Sequence, residues 1–545
     1  MLKKYMQTHR SLLFFAMLFN AAYSVVSVLV AFLLSGMINA AMEGNPEGLK
    51  QYAVLSVCYL AAVLLLGRGG NYFQGLFTRN VMRELRQDVF RAIIRRNYRS
   101  FNTKTIGEYL SILSNDMDAI ESSGVDSLFA IVDAAVTFLV AVAALLYIDV
   151  SIILAACLVG AFYLFVSWLL SRNLSSCKDA WFRTLEGYTV RAKELLSGHE
   201  VIDNLGVVDR IDRAFRQANE AESEAGRRYG LRLENLNVTN VALGQGLVIV
   251  ILGVCSWIVL AGAMAVGSLV AVAQLMTNLI TPLTGFVSCV NEIRASGGIY
   301  RDVAELLAGV DGEEETGLQE KSSFERDITL RDVSFSYGEG EPVLRHVNLT
   351  LEKNHKYAVV GASGSGKSTL VKLLLNYFPD YSGEICLDGC AYRDIRSESF
   401  QRLFSITQQN IFLFDGTIRE NLTLFQPISE KEVERAVRFS GLERFLRENR
   451  ASLDTQISEN DAQLSGGERQ SIAIARALLM RKSILIFDEA TASLDRETAA
   501  DILSQVLSIP DLTCIVVTHK LREVDPGLYD AVLEVRDGEV SFRQM

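Results

Sequence analysis

The fold of the second half of the chain is decided by Tyr357-Ala358-Val359-Val360-Gly361-Ala362-Ser363-Gly364-Ser365-Gly366-Lys367-Ser368-Thr369. The first four residues predict a short buried strand, and the rest follows the phosphate-loop pattern GxxxxGK[ST] that lies between a strand and a helix. Glycines at these positions let successive backbone N–H groups wrap phosphates at the start of a helix. The stretch therefore predicts a nucleotide site.

Each residue of this loop is a candidate nucleotide-binding residue. Lys367 is expected to reach the β and γ phosphates, and the Ser368 hydroxyl is expected to bind Mg²⁺. The full predicted set from the loop is Gly361, Ala362, Ser363, Gly364, Ser365, Gly366, Lys367, Ser368 and Thr369.

A second strand, Ser483-Ile484-Leu485-Ile486-Phe487-Asp488-Glu489, ends in two carboxylates. Ligands of parallel α/β sheets bind beyond the carboxyl ends of the strands. Asp488 is therefore expected to hold Mg²⁺, directly or through water, and Glu489 to activate the attacking water as a general base. The alternative is a solvated acidic strand end, and the phosphate loop upstream argues against it.

The composition places a membrane portion before this ATPase. Half of the 545 residues are hydrophobic, and the mean hydropathy is +0.22, which is high for a soluble protein of this size. The net charge of −11 argues against a nucleic-acid partner. Two of the cysteines, Cys386 and Cys390, are four apart, but no second pair follows at zinc-site spacing.

Six apolar segments are long enough to cross a bilayer, which takes about 20 residues of helix. They lie at about 12–38, 51–73, 124–147, 150–172, 240–262 and 267–290. The long intervals 79–104 and 173–235 are rich in Arg and Lys, whereas the other turns are nearly free of positive charge. The positive-inside rule then puts the long intervals, both termini and the ATPase in the cytosol. We expect a membrane domain at 1–307, a linker at 308–325 and a nucleotide-binding domain at 326–545.

The two long intervals have helical periodicity and contain no proline. The simplest interpretation is that the spanning helices continue far beyond the bilayer and fold back as hairpins, with tips at 105–110 and 198–202. Ordinary polar loops are the alternative. The fold class expected is an all-α membrane domain with long cytosolic helix extensions, followed by an α/β phosphate-loop ATPase with a helical subdomain.

A family resemblance comes from Leu464-Ser465-Gly466-Gly467-Glu468-Arg469-Gln470, which closely resembles the signature of ATP-binding-cassette ATPases. A Gly-Gly turn that opens a helix can bind phosphate through its N–H groups and Ser465. In the family, the signature of one subunit covers the ATP that the other holds. The resemblance therefore implies nucleotide contacts by Ser465, Gly466 and Gly467, and a head-to-tail dimer with two shared sites.

Further site residues follow from the same resemblance. Tyr337 looks like the aromatic residue that stacks on adenine, and His519 resembles the switch histidine that contacts the γ-phosphate. Gln409 looks like the glutamine that senses Mg²⁺ and the γ-phosphate, with Gln408 beside it as a one-residue alternative. The catalytic set is then Glu489, His519, Gln409 and Lys367, and the Mg²⁺ set is Ser368, Gln409 and Asp488.

Nearly the whole chain resembles an exporter-type half transporter, with ATP and Mg²⁺ as cofactors and a multi-pass location in the cell membrane. This implies alternating-access transport, with export of a small molecule, lipid or peptide as the main interpretation. The alternatives are an exporter-fold importer of a metal chelate or cofactor, and a non-pumping ATP-gated channel or regulator.

The partner is expected to be a second half transporter. A homodimer is favoured because Glu489 and the signature are both intact, and an unlike partner stays open. The tip residues 107–110 resemble a coupling helix, which is expected to rest on the ATPase near Gln409 and 415–475. Arg68, near the inner end of its span, either contacts an anionic substrate or snorkels to the interface.

Overall fold

We describe the chain from a computed structural model. The residues that it describes are 1–150, 152–153, 160–162, 165–166, 169, 174–262, 264–312, 318–338, 340–408, 410–448, 451–458, 464–488, 496–518 and 526–544. Two compact units emerge. The helical unit contains Met1–Ala92 and Ile106–Leu307, and the α/β unit contains Ile93–Thr105 and Ala308–Met545.

All secondary structure that the structure describes in the first part of the chain is helical, with short turns between the helices. Two short π-helical turns, Ile112–Asp116 and Glu121–Asp126, interrupt it before the third long helix. The helices are α1 Leu2–Thr8, α2 Arg10–Val28, α3 Val30–Met42, α4 Pro46–Ile94, α5 Tyr98–Phe101, α6 Ile106–Ser111, α7 Met117–Ile120, α8 Ser127–Ile148, α9 Leu174–Ser197, α10 His199–Leu205, α11 Val208–Leu260, α12 Gly267–Ala295 and α13 Gly297–Gly312.

Five helical stretches among the described residues are long and apolar enough to cross a membrane. They are Arg10–Met42, Pro46–Ile94, Ile106–Ile148, Val208–Leu260 and Gly267–Arg294. Four of them contain one predicted span each, and Val208–Leu260 covers the span predicted at 240–262 up to residue 260. The remaining prediction, 150–172, lies mostly outside the described residues.

The predicted helix extensions are confirmed. The 49 residues of α4 extend about 74 Å, and the 53 residues of α11 extend about 80 Å, at a rise of about 1.5 Å per residue. Both lengths are more than twice the hydrocarbon thickness of a bilayer, about 30 Å. Ordinary polar loops in these intervals are therefore excluded.

Packing within the helical unit follows the rules for lipid-embedded helices. Small residues such as Ala31, Ala141 and Ala271 are buried where helices meet, which lets the backbones approach closely. Large apolar side chains such as Leu64 and Leu65 point outward and are exposed. An outward apolar surface of this kind is stable in hydrocarbon and not in water.

The α/β unit contains a six-stranded sheet of order β12-β11-β3-β10-β9-β6, which is parallel except for the antiparallel edge strand β12. A second, antiparallel sheet has the order β2-β1-β4-β5. A β7–β8 pair lies among helices of a separate subdomain. The strands are β1 Asp327–Phe335, β2 Leu344–Glu352, β3 Lys356–Val360, β4 Ser382–Leu387, β5 Cys390–Ala391, β6 Phe404–Thr407, β7 Gly416–Thr417, β8 Gln456–Ile457, β9 Ile484–Asp488, β10 Thr513–Val517, β11 Ala531–Arg536 and β12 Glu539–Gln544.

Helices of this unit lie between the strands in sequence, as expected for an α/β phosphate-loop fold with a helical subdomain. They are α14 Lys367–Leu374, α15 Ser397–Leu403, α16 Ile418–Thr423, α17 Glu430–Phe439, α18 Leu442–Glu448, α19 Gly466–Leu479 and α20 Arg496–Leu507.

The segment predicted as a linker, 308–325, is partly structured. Its first residues continue α13 as far as Gly312. Its last residues pack on the α/β unit: Phe324 is buried in the main core, and the Lys321 ammonium pairs with Asp388 at 3.0 Å. Composition alone missed this because one buried aromatic residue is enough to anchor an otherwise polar segment.

Asp388 holds the end of this segment in place. Its carboxylate accepts hydrogen bonds from the backbone N–H groups of Glu325, Arg326 and Asp327. Burial by itself would raise the pKa of Asp388, but the bonds from Lys321 and from these N–H groups outweigh it and lower the pKa.

Candidate nucleotide-binding site

The strands that precede the predicted site residues end at one edge of the parallel sheet. Val359 of β3 lies opposite Val517 of β10, which lies opposite Asp488 of β9. On the next strand, Thr407 of β6 lies opposite Phe487. Since neighbouring strands are about 4.8 Å apart, four chain segments emerge within a width of about 15 Å. They lead into the phosphate loop, Gln408, the carboxylate pair and Thr518.

The backbone of the phosphate loop requires glycine at several positions. Gly364 and Gly366 have φ of 79° and 110°, in the left-handed region that favours glycine. At Gly361, a Cβ would lie 2.2 Å from the carbonyl oxygen of Val535, so no larger residue fits. The loop thus turns from β3 into α14 with its N–H groups available to an anion.

Lys367 is buried at the first position of α14. Its ammonium donates to the carbonyl oxygens of Gly361 and Ala362 at 2.9 and 2.8 Å. These bonds hold the ammonium over the concave side of the loop, where phosphates of a nucleotide would lie. Ser365 has a buried hydroxyl without a hydrogen-bond partner among the described residues, and Ser368 and Ser363 are exposed.

Tyr337 and Thr369, both predicted nucleotide contacts, are brought together. The Tyr337 hydroxyl lies 3.1 Å from the Thr369 hydroxyl oxygen, and the ring is 47 % exposed. One edge of the ring packs on Phe335 and Phe378 at right angles, with centroids 5.0 and 5.5 Å apart. A ring held in this way offers a free surface to a planar base.

Asp488 is the last residue of β9 and is partly buried, whereas three other predicted site residues lie outside the part of the chain that the structure describes. Glu489, His519 and Gln409 lie outside the described residues, directly after β9 and shortly after β10 and β6. The strands that precede them end at one edge of the sheet, and the positions of these three residues stay a prediction.

The signature residues form the start of α19. Ser465 is the N-cap, and the helix begins with Gly466 and Gly467. The Ser465 hydroxyl accepts from the Glu468 N–H at 3.4 Å, and the Glu468 carboxylate accepts from the Ser465 N–H at 2.6 Å. This capping box fixes the helix start. Ser465 and Gly466 are exposed, as an anion-binding helix end must be.

The two predicted phosphate-binding helix starts belong to different hydrophobic cores. The phosphate loop follows β3, whose Tyr357 and Val359 are in the main core. The signature helix contributes Ile472, Ala475 and Leu479 to a smaller core in the helical subdomain. Because each site element is anchored separately, the subdomain can present its helix end to a neighbour rather than to its own loop.

Arg476, which the sequence did not single out as functional, ties α19 to the segment that follows Gln409. Its guanidinium donates to the carbonyl oxygens of Phe412 and Asn421 at 3.0 and 2.9 Å, and to the Asn421 side chain at 3.1 Å. Burial lowers the pKa of Arg476. Five N–H donors in a rigid fork are needed to serve acceptors arranged like this.

A short piece of the first hairpin belongs to the α/β unit. The Tyr98 ring stacks on Tyr377 with centroids 4.1 Å apart and planes 9° apart, and it meets Phe378 edge-on. Arg99 pairs with Asp380. The contact predicted for 107–110 near Gln409 and 415–475 stays a prediction, and the structure adds a contact of 98–99 with 377–380 within the α/β unit. Residues 106–111 form α6 in the helical unit.

The fold agrees with what comparison with known proteins finds. The family described as "ABC transporter transmembrane region" matches residues 13–283, and the family described as "ABC transporter" matches residues 344–492. The chain therefore belongs to the ABC transporters, as a half transporter of exporter type in which ATP hydrolysis is coupled to transport.

Its relatives include the probable multidrug resistance ABC transporter ATP-binding/permease protein YheH of Bacillus subtilis (strain 168), 29% identical over 90% of this chain and 74% of the relative. The ATP-dependent lipid A-core flippase of Vibrio cholerae is 26% identical over 97% of this chain and 90% of the relative. A solved bacterial Atm1-family ABC exporter with ATP bound has the same fold, with a TM-score of 0.83, 23% identity, and coverage of 98% of this chain and 94% of that one.

Proposed function

We propose that two copies of this chain form an ATP-driven exporter in the cell membrane, with both termini and the α/β units in the cytosol. The observation that supports the proposal is the register of β6, β9, β10 and β3, in which the strand ends that precede the phosphate loop, Gln408 and Thr518 lie at one edge together with Asp488. That edge has the parts for binding and hydrolysing a nucleotide, and the apolar helices have the length to carry a substrate path.

In the proposed site, ATP binds with its adenine on Tyr337 and its phosphates in the loop from Gly361 to Thr369. Lys367 neutralises charge on the β and γ phosphates. Ser368, Gln409 and Asp488 hold Mg²⁺, which neutralises the charge that develops on the phosphates. Serine hydroxyl, amide and carboxylate oxygens are the hard ligands that this ion prefers.

Hydrolysis needs a group that activates water and a group that senses the γ-phosphate. Glu489 fills the first role and His519 the second. Ser465, Gly466 and Gly467 of the partner copy close the site over the same γ-phosphate, since a helix start is a natural anion site. ATP then favours the state in which the two α/β units are together, and hydrolysis favours the state in which they separate.

The homodimer is favoured because the loop, Glu489 and the signature are all intact in one chain. An amphipathic substrate is favoured because the relatives are named for lipid A-core and for multidrug resistance. Export is likewise the direction named for the relative whose structure shares the fold.

The function is tested with purified protein in proteoliposomes, where the α/β units of the inverted population face outward and receive ATP. We expect ATP-dependent uptake of a fluorescent lipid or amphipathic dye into these vesicles, with ATP hydrolysis stimulated by the transported compound. Hydrolysis without any ATP-dependent movement of the compounds that stimulate it would favour the regulator or channel alternative.

Glu489→Gln is the matched control, and it is also a prediction of its own. Removing the base while keeping the side-chain shape should leave ATP binding intact, and hydrolysis should fall by about 100-fold or more. Nucleotide binding is measured by a fluorescent ATP analogue, and dimer closure by crosslinking. Hydrolysis at the parental rate would show that Glu489 is not the base.

A further inference from the structure

A polar cavity of about 680 Å³ lies in the helical unit beside α4. Its lining includes the amides of Asn71 and Gln74 and the carboxyl groups of Glu121 and Asp126. Among the described residues that line it, Met82 alone is apolar and larger than glycine. A cavity with this lining does not fit an aliphatic chain, but it does fit a charged or hydrogen-bonding group.

The cavity contains an excess of positive charge. Arg79, Arg83 and Arg86 line it together, since positions three or four apart lie on one face of a helix. Arg86 pairs with Asp118 at 2.8 Å and lies 3.8 Å from Glu121. Within the described part of the chain, Arg79 and Arg83 have no acidic partner and no hydrogen bond. Two guanidinium groups are therefore available to an anion.

Thr78 supplies an independent sign of a missing ligand. It lines the same cavity and is 9 % exposed, yet its hydroxyl has no hydrogen-bond partner among the described residues. A buried hydroxyl without a partner costs free energy, and a threonine in a helix usually bonds the carbonyl oxygen one turn back. An acceptor in the cavity would satisfy it.

The depth of the cavity matches the lipid headgroups. The apolar segment of α4 ends at about residue 73, so Arg79 and Arg83 follow it by about 9 and 15 Å along the helix. The headgroup layer adds about 5–8 Å on each side of the hydrocarbon, and an arginine side chain can bend back toward it. Asn71 and Gln74 lie at the boundary itself, between the two regions.

We propose that this cavity binds the phosphate-bearing headgroup of an anionic lipid, with Arg79 and Arg83 on the phosphate oxygens and Thr78 as a further donor. Guanidinium and phosphate form charge-assisted, two-pronged hydrogen bonds that suit this ligand. The amides at the boundary suit the glycerol and ester oxygens next to the phosphate. The proposal rests on the proposed function, because it names the substrate class that the exporter takes from the cytosolic leaflet.

The test uses the full-length protein in phosphatidylcholine nanodiscs that contain a photoreactive phosphatidic acid, without nucleotide. We expect crosslinks that map to residues 71–86 and that unlabelled phosphatidic acid competes away. Arg79→Gln together with Arg83→Gln should lower this labelling by about ten-fold, because both charge-assisted bonds are lost. Thr78→Val should lower it by about two- to five-fold, as loss of a single neutral hydrogen bond does.

Arg210→Gln together with Arg213→Gln is the matched control, since it removes two exposed charges from α11, outside the cavity. It should leave the labelling unchanged. Equal labelling of the Arg79/Arg83 variant and the parent would overturn the proposal, and so would equal loss in the control. Competition by glycerol 3-phosphate as strong as that by phosphatidic acid would overturn the lipid assignment in favour of a soluble anion. Equal labelling of these residues by a photoreactive phosphatidylcholine would show that the site does not recognise an anionic headgroup.

The labelling needs neither hydrolysis nor transport, so the two proposals fail separately. Loss of labelling in the parent, with export of another compound intact, would reject this site alone. Labelling as expected, in a protein that moves no substrate with ATP, would reject the proposed function and leave the lipid site standing.

Discussion

At the scale of single residues, Tyr337 shows how the site combines a fixed ring with a free face. Phe335 and Phe378 pack against the ring, the Tyr337 and Thr369 hydroxyl groups share a hydrogen bond, and about half of the residue remains exposed. The ring is thus held in place before any base arrives, so binding costs little side-chain entropy.

Tyr337→Ala is predicted to raise the KM for ATP by about ten-fold, because stacking on a base contributes about 1–3 kcal/mol. Tyr337→Phe keeps the ring and loses only the bond to Thr369, so its KM should stay within about three-fold of the parent. Both are measured as steady-state ATP hydrolysis in lipid. A larger effect of Phe than of Ala would show that the hydroxyl, rather than stacking, determines affinity.

The sequence predicts a residue's structural role well where the backbone conformation there favours a single residue type. In the phosphate loop, Gly364 and Gly366 have left-handed φ values, and the glycine pattern of the sequence predicts such a backbone. Arg476 and Thr78 could not be found in this way. Arg476 is important because its guanidinium bonds three acceptors on Phe412 and Asn421, which are more than 50 residues away in sequence. Thr78 is notable because its buried hydroxyl has no hydrogen-bond partner among the described residues. Both observations depend on the three-dimensional structure.

At the scale of elements, the signature helix α19 is held at both ends. Ser465 and Glu468 cap its start, and near its end Arg476 bonds to Phe412 and Asn421. Asn421 is fully buried and in turn bonds the backbone of Phe414 and Thr417. The segment from Phe412 to Asn421 and the signature helix therefore form one hydrogen-bonded body.

Arg476→Lys should lower the stability of this body, because an ammonium cannot reach all three acceptors and leaves some of them buried and unbonded. We expect a loss of about 2–4 kcal/mol, seen as a lower melting temperature, with ATP hydrolysis reduced more than ATP binding. Arg435→Lys, at an exposed position of α17 in the same subdomain, is the control and should change neither quantity. Equal melting temperatures for the two variants would show that the Arg476 bonds are not structural.

Elements were predictable where a physical length or period sets them. The apolar segments of α4 and α11 identified spans, and the periodicity of the flanking intervals identified helices that run far past the bilayer. The linker was harder, because its composition is polar while its position is set by Phe324 and Asp388. The burial of the Phe324 ring and the three N–H bonds to the Asp388 carboxylate are tertiary contacts, which composition does not predict.

At the scale of the whole molecule, the first hairpin matters because its segment 93–105 is part of the α/β unit and continues directly from α4. Tyr98 stacks on Tyr377, whose neighbour Phe378 supports Tyr337. The residue that is proposed to hold adenine is therefore separated from the hairpin by a single layer of aromatic side chains.

Tyr98→Ala is predicted to uncouple transport from hydrolysis. Loss of the stack removes about 0.5–1.5 kcal/mol of docking, so substrate-stimulated hydrolysis and transport should fall while basal hydrolysis remains. Tyr98→Phe preserves the stack and should behave like the parent. Transport and stimulation measured in proteoliposomes decide the matter, and normal coupling in Tyr98→Ala would place the functional contact elsewhere.

The central claim is that each ATP lies between the phosphate loop of one copy and the signature helix of the other. It is tested most directly with dimers purified through two different tags. One dimer carries Lys367→Ala in one chain and Ser465→Arg in the other, and the second carries both substitutions in one chain beside a parental chain.

If sites are shared, the first dimer keeps one intact site and the second keeps none, because its parental loop faces the altered signature. We predict that the first dimer hydrolyses bound ATP in a single turnover and that the second does not. Hydrolysis by the second dimer and none by the first would place each site within one chain and would contradict shared sites.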